Sequence, residues 1–129
     1  MMADPVLEAE LLRLNQRLLD SIVRADWQTY QELCSPNLTA FEPEAMGHLV
    51  KGLDFHRFYF ELGGVKENQC TTMASPHVWI KGDVAVIAYV RLNQRMDPLG
   101  MPTISCVMET RVWERCDGRW KHVHFHRSS

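Results

Sequence analysis

The chain has 129 residues, 46% of them hydrophobic and 23% charged, with a formal net charge of −2. That is enough for one domain with a real core and too little for two. The near-neutral balance gives no global attraction to nucleic acid or to an anionic membrane, so neither is expected as a partner. The four cysteines, Cys34, Cys70, Cys106 and Cys116, show no CxxC spacing, which points to a reduced, cytoplasmic setting rather than to a disulfide framework. No basic stretch followed by an apolar run opens the chain, and no apolar run approaches the roughly 18 residues that would span a bilayer.

Asp4-Pro5 reads as a helix start, with Asp4 as the N-cap and Pro5 at the first helical position. Leu7, Leu11, Leu14, Leu18 and Ile22 recur in steps of three and four, and Leu12, Leu19 and Val23 widen the stripe. This predicts a long amphipathic helix to about Ala25, wide enough to lie on a concave sheet. Asp26 caps a second, shorter helix with Trp27, Tyr30 and Cys34 on one side, ended by Ser35-Pro36-Asn37. Leu38 to Phe41 is a short strand, followed by Glu42-Pro43-Glu44, where proline forbids a central ladder position. A third helix is predicted from about Leu53 to Leu62, with Phe55, Phe58, Tyr59 and Leu62 as its apolar face and Gly63-Gly64 as its stop.

The second half reads as β structure. Cys70 to Ile80 is one extended run interrupted at Ser75-Pro76, Lys81-Gly82-Asp83 is a turn, and Val84 to Gln94 is the strongest strand. Asp97 to Pro102 is an irregular loop, and Ile104 to Glu114 and Arg119 to Arg127 form a hairpin. Helices first and sequential antiparallel strands later make an α+β fold, a cone-like half-barrel around a possible cavity.

The hairpin register decides what its charges do. A two-residue Asp117-Gly118 turn pairs Cys116 with Arg119, sets Arg111 opposite His124 and sends Arg127 to the other face. A three-residue loop pairs Arg115 with Arg119 and puts Arg111, Trp113, Val123, Phe125 and Arg127 on one face. Residues alone leave both open.

Arg91, Arg111 and Arg127 are the candidate anion-binding residues, because guanidinium forks suit carboxylate and phosphate. Arg91 shares a strand face with Tyr89, and Glu109 shares one with Arg111. The bland alternative is a Glu109–Arg111 ion pair with Arg91 and Arg127 at solvated strand ends. His122, His124 and His126 alternate and could hold zinc through three imidazoles, but no fourth ligand is signalled, and no metal is expected. His56 lies on the aromatic helix, as a partner to a neighbouring polar group or as a functional residue. Glu42 and Glu44 flank Pro43 as a carboxylate pair that could serve acid–base work or simply start a helix. There is no glycine-rich phosphate loop, no nucleophile elbow and no cofactor motif.

Long blocks in order carry a resemblance: Asn37 to Ala45, Gly52 to Glu61, Glu109 to Trp113, and His124 to Ser128. From about Leu11 to the C-terminus the chain resembles the association (hub) domain of calcium/calmodulin-dependent protein kinase II. The resemblance implies a cone fold like nuclear transport factor 2, with a long helix cradled by a curved antiparallel sheet. It implies a non-enzymatic module that pairs with itself and builds a two-layered ring, a dodecamer, a tetradecamer or larger, which scaffolds kinase subunits. It also implies a cavity lined by Arg91, Arg111 and Arg127, with His56 near its mouth, where small carboxylates or kinase segments dock; Tyr89, on the strand face of Arg91, joins the candidate ligand-binding residues. It favours the three-residue hairpin loop, which turns both hairpin arginines inward.

The chain departs from the animal kinases' pattern in three places. Leu62 to Asn68 is about two residues shorter and lacks a tryptophan, Lys51 replaces an acidic residue, and Glu114 replaces a histidine. With Met1-Met2-Ala3 ahead of Asp4 and no kinase segment before it, the expectation is an isolated domain or a free-standing hub-like adaptor that binds or exchanges with a kinase. The rival is a small-molecule isomerase or dehydratase of the same cone fold.

Overall fold

The structure, a computed structural model, describes residues 4–63 and 69–129. Helix α1 (Pro5–Val23) begins as its sequence dictates: the Asp4 carboxylate accepts the Leu7 N–H at 3.0 Å, and Pro5 follows directly. Leu11, Leu18 and Leu19 of its stripe are fully buried, and Leu7, Leu12, Leu14 and Ile22 pack beside them. Helix α2 (Trp27–Leu33) is capped by Asp26, whose carboxylate accepts from the Thr29 N–H and hydroxyl.

Strand β1 (Cys34–Phe41) starts four residues earlier than expected and bridges Ser35-Pro36-Asn37 with an irregular step between Cys34 and Thr39. A 3-10 turn (Pro43–Ala45), a two-residue strand β2 (Val50–Lys51) that the sequence did not announce, and helix α3 (Asp54–Glu61) follow. Strands β3 (Gln69–Lys81), β4 (Val84–Met96), β5 (Pro102–Cys116) and β6 (Arg119–Arg127) complete a six-stranded sheet in the order β2-β1-β6-β5-β4-β3. The sheet is not closed. One pair departs from the antiparallel expectation: β1 lies parallel to β6, because the helical first third of the chain delivers it to the free edge of the last strand.

Bulges bend this sheet around α1. In β3, Ser75 (φ 51°) and Pro76 stand between the Ala74–Val90 and His77–Ala88 pairs, so the predicted interruption is a kink within one strand. Pro76 is tolerated because β3 is an edge strand. Helix α1 lies against the hollow side: Gln16 donates to the Thr71 carbonyl at 2.9 Å, and the Trp113 indole N–H donates to Asn15 Oδ1 at 3.0 Å. Asn15, wholly buried in the middle of the leucine stripe, thus supplies the acceptor that a buried indole needs.

The hairpin corrects the three-residue loop. Asp117 (φ 52°) and Gly118 (φ 76°) form a two-residue turn, and Cys116 pairs with Arg119. The sign of both φ values is that of the turn whose twist matches paired strands, which is why Asp-Gly serves here. Six residues on, Val123 is an extra residue: Trp113 faces His122, Val112 faces His124, and Arg111 then faces Phe125. The bulge re-phases β6, so Arg111, Phe125 and Arg127 share the hollow face although the turn has two residues. Val123, expected on that face, is the residue displaced, and His122 takes the buried position.

The face of α3 also differs. Phe58 and Leu62 are largely exposed; His56 is the buried residue, and Phe55 and Phe60 pack on the core. The His56 ring is fixed between Tyr30 and Phe125, with centroids 6.0 and 5.5 Å away, and this contact sets the rotation of the helix.

Candidate ligand cavity

Three adjacent strands place a charged cluster at the bottom of the hollow. Tyr89 and Arg91 come from β4, Glu109 and Arg111 from β5, and Thr71 from the neighbouring β3. Glu109 Oε2 accepts from Arg91 Nη1 at 3.2 Å and from Arg111 Nη2 at 3.1 Å. Its Oε1 accepts from the Tyr89 hydroxyl at 2.5 Å and from Arg111 Nε at 3.2 Å. Arg91 Nε donates to the Thr71 hydroxyl at 2.9 Å, and the Arg111 guanidinium lies 4.3 Å from the centroid of the Phe125 ring. Glu109 is 2% exposed and Arg111 1%.

The charges survive burial because they hold one another. Burial alone would raise the Glu109 carboxyl, but Arg111 and then Arg91 outweigh it and hold it at about 2. Burial works against the Arg111 charge as well, yet Glu109 outweighs it and keeps this guanidinium above its ordinary range. Arg91 is pressed below its ordinary range, by burial first, with Glu109 opposing. Burial, despite the Arg111 charge beside it, raises the Tyr89 phenol to about 12.

Arg111 also fixes a tautomer. Its Nη1 stands 3.3 Å from His122 Nε2, and a guanidinium only donates, so Nε2 accepts and the proton sits on Nδ1, 3.4 Å from Cys34 Sγ. Burial, and then Arg111, press His122 well below its ordinary range, so it is neutral. The β6 bulge separates it from its neighbours: His124 bonds Thr39 at 2.7 Å, and His126 is exposed beside Phe41. The three alternating histidines therefore do not converge on one point, and among the described residues no group of three potential metal ligands forms.

Above this cluster lies a cavity of about 100 Å³. Arg91, Arg111, Arg127, His56, Glu42 and Glu44 bring the charged and titratable groups to its wall, with aromatic and aliphatic side chains between them. The structure thus gathers four of the five candidate residues around one space. Tyr89 stands behind the wall, 5% exposed, and steers Glu109 and Arg111 rather than facing the cavity. The bland readings hold in part: the Glu109–Arg111 pair exists and His56 Nε2 lies 2.7 Å from Glu42 Oε1, but Arg91 is buried in the cluster rather than at a solvated strand end. A carboxylate only accepts, so that nitrogen carries a proton; His56 Nδ1 is buried with no partner among the described residues.

Glu42 and Glu44 are the lining residues to which the sequence gave least weight. They leave β1 on opposite sides of Pro43, one to His56 and the other to Arg127. Only the β1–β6 pairing could have shown that Arg127 lies there, and only the packing of α3 that His56 does. Lys51 and Glu114, the family departures, are exposed and away from the cavity wall. Of the shortened stretch, residues 64–68 lie outside the described residues.

Comparison with known proteins places this arrangement. The family profile described as "Calcium/calmodulin dependent protein kinase II association domain" matches residues 7–129. The chain is 51% identical over 122 residues to the delta subunit of calcium/calmodulin-dependent protein kinase type II from Oryctolagus cuniculus; the match covers 92% of this chain and 23% of that protein, so the chain spans about a quarter of its relative. The association domain of the C. elegans kinase superposes with a TM-score of 0.91 at 45% identity, over 96% of both chains. An NTF2-like protein from Salmonella enterica, 23% identical with a TM-score of 0.76 over 98% of this chain and 93% of its own, shares the fold alone. The α+β cone anticipated from the sequence is the observed fold, and the chain belongs to the association-domain family of calcium/calmodulin-dependent protein kinase II.

Proposed function

We propose that the chain is a non-catalytic assembly module that builds a closed multi-subunit ring and thereby gathers kinase subunits, with the arginine-lined cavity as an accessory anion site. The family match is the first support. The observation that carries assembly is the outer face of the sheet. Cross-strand neighbours there are Trp79, Val86 and Val112 in one row and Ala74, Val90 and Met108 in another. Trp79 is 53% and Met108 65% exposed. An antiparallel sheet with one face in water puts polar residues on that face, and these two rows put apolar ones there instead. Copies of the same chain covering that surface remove it from water, and a ring of dodecameric or tetradecameric size closes the contact without free ends. Native mass spectrometry at micromolar concentration is expected to give such a particle. A species of 15.0 kDa alone would overturn the proposal.

The anion site rests on three guanidiniums that reach one small wall; Glu42, Glu44 and the Glu109 behind it match their charge, so an anion there is held by directed guanidinium donors rather than by a net positive charge. Small carboxylates and kinase segments are the expected occupants. The enzyme reading needs a base at the cavity. Glu109 is held ionised and fully engaged by two arginines, which suits it to anchoring them and not to taking a proton. His56, backed by Glu42, has the shape of a base, but the guanidiniums around it favour holding an anion over generating one.

A further inference from the structure

Outside the cavity lies a second, shallower groove of about 320 Å³, walled by Asn93 and Val107 among others. The two spaces share three wall residues, Glu44, Arg91 and Arg127. Two are the cations that would hold an anion; the third is a carboxylate already bound to one of them, since both oxygens of Glu44 accept from Arg127 Nη2. Glu44 sits where a ligand carboxylate would sit.

We propose that Glu44 is a built-in competitor and partition: it occupies Arg127, divides the inner cavity from the outer groove, and is displaced when a linear carboxylate too long for the cavity binds. This rests on the reading of the cavity as an anion site. The inner space alone holds roughly three waters' volume, so an acid with more than a few carbons needs both chambers. Its carboxylate replaces Glu44 on Arg127, and its chain occupies the merged space.

Three features make Glu44 the movable partner. It stands on a one-turn 3-10 segment with no side-chain cap, followed by Met46 at φ 55° and Gly47 at φ 89°, a turn closed by short-range backbone bonds such as Ala45 N–H to the Glu42 carbonyl and Met46 N–H to the Pro43 carbonyl. Its side chain is 35% exposed, whereas that of Glu42, two residues earlier, is 4% exposed and tied to His56. Arg127, by contrast, is fixed in the β6 ladder opposite Glu109. Exchange of one carboxylate for another on Arg127 leaves the charge of the wall unchanged, so the ligand pays little beyond its own ordering.

Calorimetric titration of the assembled protein with hexanoate tests this, using the native chain, Glu44→Gln, and Glu10→Gln on the exposed side of α1 as the control. Glutamine keeps the shape of the turn while removing the competing charge, and native mass spectrometry confirms that the assembly is retained. Glu44→Gln is expected to bind hexanoate roughly fivefold more tightly than the native chain, with Glu10→Gln unchanged. If the native chain binds and Glu44→Gln binds equally or more weakly, the partition is wrong and the anion site stands. If neither hexanoate nor acetate binds the native chain or Glu44→Gln, the anion site itself is wrong and the partition falls with it.

Discussion

At the closed end of the cavity, Glu109 accepts from Tyr89, Arg91 and Arg111 and none of the four is exposed to more than 6%, whereas at its mouth Glu44 and Arg127 meet with 35% and 22% of their side chains in water. Both are carboxylate–guanidinium contacts, and their consequences are opposite. In the closed cluster, desolvation is already complete, so removing one member strands the others without water. At the mouth, water replaces whichever partner leaves, and the contact is worth little to the fold. The first therefore sets the geometry of the arginines, and the second is free to exchange.

The sharpest way to break this comparison is Glu109→Ala. It strands two buried guanidiniums and is expected to lower unfolding stability by about 3–5 kcal/mol, read as a shift of the urea midpoint. A loss no greater than that of a surface change would show that the cluster is not the anchor described here. Acid gives a related effect without mutation. The folded Glu109 carboxyl at about 2 lies below its unfolded value of 4.5, so its contribution is complete above 4.5 and is lost as pH falls toward 2. By linkage this is worth on the order of 3 kcal/mol. His122, held neutral, has the same sign at a higher range: the unfolded imidazole takes up a proton below about 6.5 and the folded one does not, so stability falls there first. Urea midpoints from pH 7.5 to 3.5 are expected to decline in two stages, with the upper one reduced in His122→Gln and its remainder carried by His124, which burial also lowers.

Next in size is Asn15→Ala, which leaves the buried Trp113 indole without an acceptor and is expected to cost about 1–3 kcal/mol by thermal unfolding. The smallest stability effect belongs to Arg127→Ala, within about 1 kcal/mol. This same change is expected to weaken small-carboxylate binding roughly tenfold, charge-assisted bonds to an anion being the stronger kind. A large loss of stability in Arg127→Ala would erase the distinction between the two ends.

The contrast was only half legible in the residues. Asp4-Pro5 and Asp26 announced both helix starts because capping is a contact within one turn of chain. The leucine stripe announced a helix on a concave partner, and Asp117-Gly118 announced a tight turn, each for a reason local to a few residues. Glu109 and Arg111 could be placed on one face from their spacing alone. Long motifs shared with a known family carried the fold and the inward arginines further than spacing could.

What the sequence by itself determined, then, is the three helices and every strand but the short β2, the hollow-facing side of α1, and the residue types able to hold an anion, since all of these follow from periodicity and near-neighbour chemistry. Tertiary structure alone decided the rest. The bulge at Val123 sets which face β6 presents, and one extra residue in a ladder leaves no mark in composition. The parallel pairing of β1 with β6 carries Glu44 to Arg127, and the packing of α3 against Tyr30 and Phe125 carries His56 to Glu42, contacts that no local stretch of chain announces.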